Sequence, residues 1–161
     1  MTKPSFVYVT HSAATPNKLW HALTDPQFTE QYWFGFRVDA RGKAGERVTA
    51  LSPNGARVHD DKILLSDPPR RLVYEWKSLY EEFKDERASR VTFEIEPKQN
   101  HVKLTVMHDD FDIGSKIFPR ISDGWPAVLS SLKSFLETGQ SLAPSCNEDQ
   151  RESALKVGGT A

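Results

Sequence analysis

The chain has 161 residues and a formal net charge of −1, with 21 lysines and arginines against 22 aspartates and glutamates. A domain of this length buries about 70% of its unfolded surface, which is enough for one hydrophobic core. The near-neutral charge argues against a dedicated nucleic-acid-binding domain, because such domains carry a basic excess. No stretch approaches the roughly 20 apolar residues of a membrane span. Residues 1–5 lack the apolar run of a signal peptide, and the single Cys146 cannot form an internal disulfide, so we expect a cytoplasmic protein.

The N-terminal part of the chain predicts one strand followed by two short helices. Residues 6–10 are β-branched and aromatic, which favours a strand. Thr15 before Pro16 is a suitable N-cap with proline at the first helical position. Asp25-Pro26 ends this helix and starts a second one, because proline is tolerated in a first turn.

From residue 34 to residue 108 the apolar residues alternate with polar ones, which is typical of half-buried strands. Phe34, Phe36 and Val38 open this pattern, and Ile63 with Leu65 marks one face of a later strand. Short turns separate the segments. We therefore predict six successive strands in an antiparallel meander.

The last part of the domain predicts a long amphipathic helix. Its apolar residues recur at spacings of three and four, and they are Ile121, Trp125, Val128, Leu129, Leu132, Phe135 and Leu136. Gly139 is a natural C-cap, and Pro126 requires that the helix starts close to Gly124 or kinks there. Residues 140–161 are polar and are predicted to be a flexible tail, so the domain spans residues 4–139.

Several segments resemble one known superfamily. They are Pro16-x-x-x-Trp20-x-Ala22-Leu23-Thr24-Asp25-Pro26, Asp67-Pro68-Pro69-Arg70-Arg71-Leu72-Val73-Tyr74-Glu75-Trp76 and Gly124-Trp125-x-x-x-Leu129. With the order β-α-α-β-β-β-β-β-β-α, they resemble the START-like (SRPBCC, helix-grip) superfamily, and most closely the bacterial homologues of heat-shock-protein ATPase activators. The resemblance implies an α+β helix-grip fold, in which a curved antiparallel sheet of about seven strands surrounds the long C-terminal helix.

The resemblance also implies a cavity between the sheet and that helix. Members of the superfamily bind lipids, sterols, polyketides or flavonoids there, and some catalyse reactions. The candidate lining residues are Trp33, Phe34, Phe36, Tyr74, Trp76, Phe93, Val106, His108, Trp125 and Leu129. The alternative is that these side chains only pack a core, since aromatic residues dominate cores in general.

His108 is the most suggestive polar residue among these candidates. It ends an otherwise apolar strand face beside Asp109 and Asp110, so it is a candidate hydrogen-bond donor to a ligand, or a general base oriented by a carboxylate. The alternative is a histidine that caps the strand end and bonds a backbone carbonyl. Residues 59–61, His-Asp-Asp, match no metal motif and are expected to form a solvated strand end. We predict no metal, no cofactor and no catalytic set.

Residues 77–88 form a long, charged connection that contains Leu79, Tyr80 and Phe83. They are a candidate flap at the cavity mouth or a partner-binding surface, or alternatively a hairpin whose apolar residues fold back on the sheet.

Three functions follow, in this order. The first is a non-catalytic carrier or sensor of a small hydrophobic molecule. The second is a chaperone-linked protein-interaction module, for which the resemblance implies a role in the stress response. The third is a cavity enzyme of cyclase or hydratase type. A homodimer is compatible with the sequence, although no residue indicates one.

Overall fold

A computed structural model describes residues 3–142 of the chain. They form a curled seven-stranded antiparallel sheet, two short helices after the first strand and a long helix at the end. The elements are β1 (Phe6–Ser12), α1 (Pro16–Thr24), α2 (Pro26–Tyr32), β2 (Arg37–Asp39), β3 (Arg47–Leu51), β4 (Arg57–Asp67), β5 (Arg71–Trp76), β6 (Ser89–Pro97), β7 (Val102–Asp109) and α3 (Ile117–Thr138). This order confirms the predicted helix-grip fold. The predicted tail lies outside the described residues from position 143 onwards, and Cys146 lies there as well.

The sheet has the strand order β1-β7-β6-β5-β4-β3-β2, so β2 to β7 form a meander and β1 returns to pair with β7. The register aligns Leu72 with Phe93 and Phe93 with Val106, which gives β5, β6 and β7 a common apolar face. That face packs on α3, since the Phe93 and Trp125 ring centroids are 6.0 Å apart. None of the helices formed by residues 3–142 is long and apolar enough to cross a membrane.

The two short helices begin at Pro16 and Pro26, as predicted, and each has a side-chain cap. The Thr15 hydroxyl accepts a hydrogen bond from the backbone N–H of Lys18 at 3.1 Å, and the Asp25 carboxylate accepts one from Gln27 at 2.9 Å. Both caps satisfy N–H groups that have no partner inside the helix. After α2, Phe34 and Gly35 adopt positive φ angles of 51° and 89°. The alternating pattern predicted to form a strand from Phe34 therefore starts later, with β2 at Arg37.

The long helix α3 starts at Ile117, about two turns before the predicted start near Gly124, and Pro126 lies inside it. Of the two alternatives for Pro126, a helix start close to Gly124 was therefore wrong, and the proline lies within the helix. The Glu86 carboxylate accepts hydrogen bonds from the N–H groups of Lys116 and Ile117, at 3.0 and 3.2 Å. The Ser115 hydroxyl accepts from the N–H of Phe118 at 3.2 Å, so a local cap and a distant acidic side chain together stabilise this helix start. Gly139 ends the helix in the left-handed conformation, with φ 79°, as predicted.

Two bulges in β4 change which side chains face the core. The pairing shifts between Ala50 and Leu51 on β3, and again between Ile63 and Leu65. A bulge inserts an extra residue and reverses the inside–outside alternation beyond it. Leu65, predicted to share a face with Ile63, is therefore exposed, whereas His59 and Asp61 are buried with Ile63. The expectation that residues 59–61 form a solvated strand end was wrong for His59 and Asp61.

Candidate functional site

A small cavity lies in the core between the α2–β2 corner and strands β2 to β5. Its volume is about 10 Å³, measured at the centres of water-sized spheres, which is room for about one water molecule. It is therefore much tighter than a ligand-sized space. Nine residues line it: Trp33, Phe36, Val38, Val48, Ala50, His59, Asp61, Tyr74 and Trp76.

Four of the ten candidate residues named from the sequence line this cavity, namely Trp33, Phe36, Tyr74 and Trp76. The other six are buried in the same core but outside the cavity wall, and they are Phe34, Phe93, Val106, His108, Trp125 and Leu129. Sequence analysis missed His59 and Asp61. Their signal was the alternation from the inward Ile63 back through Asp61 to His59, which places all three on one face.

Three tryptophans pack together at the cavity and differ in one respect. The ring centroids of Trp33 and Trp76 are 6.3 Å apart, and each lies within 5.6 Å of Trp125. The Trp125 indole N–H donates to His108 Nδ1 at 3.1 Å. The indole N–H groups of Trp33 and Trp76 are buried and have no hydrogen-bond partner among the described residues. Trp125 is therefore anchored within the protein, whereas the other two indoles keep an unused donor.

Two further lining residues carry buried polar atoms without a partner in the described part of the chain, the Tyr74 hydroxyl and His59 Nε2. Burial, with a smaller contribution from the Asp61 charge, raises the pKa of Tyr74 well above its usual range, so its hydroxyl stays protonated and can donate. Tyr32 is equally buried, but its hydroxyl donates to the carbonyl of Ala22 at 2.9 Å. The cavity thus combines aromatic walls with unused hydrogen-bonding capacity.

The two buried tyrosines should respond oppositely to loss of the hydroxyl. Tyr74→Phe removes a buried hydroxyl that has no partner among residues 3–142, so we expect the free energy of unfolding to rise by about 1 kcal/mol. Tyr32→Phe leaves the Ala22 carbonyl without its donor, so we expect a loss of about 1 kcal/mol. Urea unfolding of both variants and the native protein measures these changes. If Tyr74→Phe destabilised the protein as much as Tyr32→Phe, its hydroxyl would have a partner in the free protein.

His108 has partners for both of its ring nitrogens. Nδ1 accepts from Trp125, so the ring proton is on Nε2, which donates to the Ser89 hydroxyl at 2.8 Å. The Ser89 hydroxyl in turn donates to the carbonyl of Trp76 at 3.2 Å. Burial lowers the pKa of His108 to about 3, so the ring is neutral. Its partners are side chains on β6 and α3.

No carboxylate within residues 3–142 orients His108. Asp109 pairs with Arg90 at 2.9 Å and Asp110 pairs with Arg87 at 3.0 Å, both at the surface. Asp61 instead accompanies His59. His59 Nδ1 lies 3.1 Å from Asp61 Oδ2 and 3.0 Å from the carbonyl oxygen of Lys77. Within residues 3–142 no group of three or more His, Cys, Asp or Glu side chains is arranged to hold a metal ion.

Residues 77–88 fold back onto the domain. Phe83 is buried, and the Arg120 guanidinium lies 5.6 Å from the centre of its ring. The Lys77 ammonium donates to the carbonyls of Phe83 and Lys84, both at 2.9 Å, and to that of Glu86. Leu79 remains 50% exposed. Residues 77–88 are therefore packed against the domain and do not form a free apolar surface.

Solved structures with this fold come from several bacteria. A protein from Mesorhizobium loti, MLL2253, is 25% identical with a TM-score of 0.71, and the match covers 83% of this chain and 96% of that one. The Aha1 dimer of Colwellia psychrerythraea is 19% identical with a TM-score of 0.68, over 86% and 99% of the two chains. DynU16, a putative protein in the dynemicin biosynthetic locus, is 21% identical with a TM-score of 0.70, over 85% and 48%.

Comparison with curated protein sequences gives no match. The sequence profile of the Activator of Hsp90 ATPase homolog 1-like proteins matches residues 13–137. This match covers most of the chain, from the end of β1 to the last turn of α3. A fold of this kind is consistent with a ligand-binding module. The chain belongs to the Activator of Hsp90 ATPase homolog 1-like family.

Proposed function

We propose that the cavity lined by Trp33, Tyr74 and Trp76 binds a small hydrophobic molecule, and that the protein is a non-catalytic carrier or sensor. One observation carries the proposal. Four buried polar atoms without a partner among the described residues belong to residues that line this cavity. Apolar walls with a few polar groups are the usual composition of a small-molecule site.

The energetics of these atoms explain how a tight cavity can still admit a ligand. Each buried donor or acceptor without a partner costs about 1–3 kcal/mol. The closed packing is therefore penalised, and a ligand that supplies the missing partners recovers that free energy. Because the cavity has room for about one water molecule, binding requires lining side chains to change position. We expect the recovered hydrogen bonds to offset the cost of that movement.

The contacts of His108 favour a carrier over an enzyme built on that residue. Both of its nitrogens are engaged by Trp125 and Ser89, and its charge is suppressed by burial. Neither nitrogen is available to accept a proton from a substrate. The chaperone-linked alternative is supported by family membership. Residues 77–88 add little to it, because Leu79 is the large apolar side chain that they expose.

Titration with phenol and with toluene, followed by intrinsic tryptophan emission, tests the proposal. We expect a saturable change in emission, because Trp33 and Trp76 line the cavity. A ligand at 100 times its Kd should also raise the free energy of unfolding by about 2.7 kcal/mol. Trp20→Phe is the matched control, because Trp20 lies on α1 outside the cavity wall, and it should bind as the native protein does. The absence of any saturable change with either compound, up to its solubility limit, would refute the carrier proposal.

A further inference from the structure

The structure fixes the position of the ring proton on His59. Nδ1 faces two acceptors, Asp61 Oδ2 at 3.1 Å and the carbonyl oxygen of Lys77 at 3.0 Å. An unprotonated ring nitrogen has no hydrogen to donate to these oxygens, so Nδ1 carries the hydrogen. The other Asp61 oxygen accepts from the backbone N–H of Lys77 at 2.9 Å, which holds the carboxylate in place. In the neutral imidazole the remaining nitrogen, Nε2, is therefore an acceptor.

His59 Nε2 is an acceptor, whereas the other unpartnered groups of the cavity wall can donate. It is buried, and it has no hydrogen-bond partner among residues 3–142. The other unpartnered groups of the lining residues are the two indole N–H groups of Trp33 and Trp76 and the hydroxyl of Tyr74. His108, in the same aromatic cluster, has both nitrogens bonded and offers no such acceptor. The cavity wall thus presents one acceptor beside several donors.

We propose that the ligand is a neutral aromatic alcohol of the phenol class, whose hydroxyl donates to His59 Nε2. This inference rests on the proposed function of the cavity. A phenolic oxygen has one donor and two acceptor lone pairs, so it can donate to the histidine and accept from Tyr74 or an indole. A molecule with both roles at one oxygen uses the histidine and the donors together.

The walls of the cavity favour an uncharged, flat ligand. The His59 ring packs on Trp76 with centroids 4.4 Å apart, and Trp33 and Tyr74 stack on the same indole at 6.3 and 6.5 Å. Aromatic rings bind well to such surfaces. Asp61 is buried in the wall, and no lysine or arginine is among the lining residues of the described chain. An anionic ligand would face this carboxylate without a compensating cation.

Long-range ¹H–¹⁵N NMR of the native protein tests the inference directly, because it distinguishes protonated from unprotonated ring nitrogens. We expect His59 Nε2 to be unprotonated in the free protein, and its ¹⁵N resonance to move during titration with phenol. Toluene, which replaces the hydroxyl with a methyl group of similar size, should bind without that movement. A protonated Nε2 in the free protein would overturn the inference, and so would binding of phenol with no change at His59. If either result were obtained but toluene still bound, the carrier proposal would stand. If neither phenol nor toluene bound, the carrier proposal and this inference would both be refuted.

His59→Phe provides a second test, because it keeps an aromatic ring and removes the acceptor. We expect its affinity for phenol to fall about tenfold, because one hydrogen bond contributes about that factor to an affinity. Its affinity for toluene should change less than about twofold. The matched control is His21→Phe, on the exposed side of α1, which should bind both compounds as the native protein does. Equal losses for phenol and toluene in His59→Phe would contradict the inference. If His59→Phe does not fold, the NMR titration of the native protein decides.

Discussion

The free energy of unfolding of the native protein is expected to fall by about 2 kcal/mol between pH 6.5 and pH 4.5, because of His108 alone. Burial lowers the pKa of this histidine to about 3 in the folded protein. The unfolded chain takes up the proton near the ordinary histidine pKa of 6.5. A depressed pKa contributes stability that is complete above pH 6.5 and is lost as the pH falls towards 3.

Denaturant unfolding at several pH values measures this loss of stability. The variant His108→Asn separates the contribution of His108 from that of the other titrating groups. Asparagine offers an oxygen to the Trp125 indole but has no titrating group, so the variant should be less stable overall and should lose less stability on acidification. His21→Asn is the matched control, since His21 is exposed on α1, and its pH dependence should equal that of the native protein. Hydrogen bonds from Arg87 lower the pKa of Asp110 and Asp112 below 3.8, so these groups titrate mainly below this window. Equal pH dependence in His108→Asn and the native protein would refute the assignment.

Trp76→Phe and Trp125→Phe make the same chemical change in the same cluster, yet they should damage different properties. Both remove part of a packed ring, which costs about 1 kcal/mol or more. Trp125→Phe also leaves His108 Nδ1 without its donor, so we expect it to cost about 1–3 kcal/mol more stability than Trp76→Phe. Trp76→Phe should instead weaken phenol binding about tenfold, because its indole N–H faces no protein acceptor in the described chain.

Urea unfolding and phenol titration of both variants measure the two effects. Trp76→Ala is a harsher test of the same residue. It should abolish binding and lower the free energy of unfolding by about 3–5 kcal/mol, because Trp76 contacts Trp33, Tyr74, His59 and Trp125. If Trp125→Phe weakened binding as much as Trp76→Phe, without a larger loss of stability, the division of roles within the tryptophan cluster would be wrong.

The succession of strands and most inward faces could be predicted because they depend on local alternation. Leu72, Tyr74 and Trp76 on β5 are spaced by two and are all buried, as their pattern indicates. The bulges in β4 could not be predicted in this way, since each one depends on its pairing with a neighbouring strand. For that reason, the sequence pattern placed Leu65 inside. His59 and Asp61 follow an unbroken alternation with Ile63, and they were placed in solvent because histidine and aspartate are seldom buried.

The start of α3 and the chemistry of the cavity depend on contacts between distant parts of the chain. Glu86 stabilises the N-terminus of α3 from a position about 30 residues earlier. Trp76 and Trp125 are identical residue types, and only the position of His108 opposite Trp125 separates a satisfied indole from an unused one. Spacing along the sequence carries no information about such partners. It could therefore identify the aromatic cluster but not which of its polar atoms remain unpaired.

The indole N–H resonances of the four tryptophans, followed in ¹H–¹⁵N spectra during titration with phenol, test the central claim most directly. The cavity is lined by Trp33 and Trp76, whose N–H groups have no partner among the described residues, so both resonances should shift along one saturable curve. The resonances of Trp20, outside the cavity wall, and Trp125, bonded to His108, should move little. A titration in which the resonances of Trp33 and Trp76 stay fixed would contradict ligand binding at this cavity.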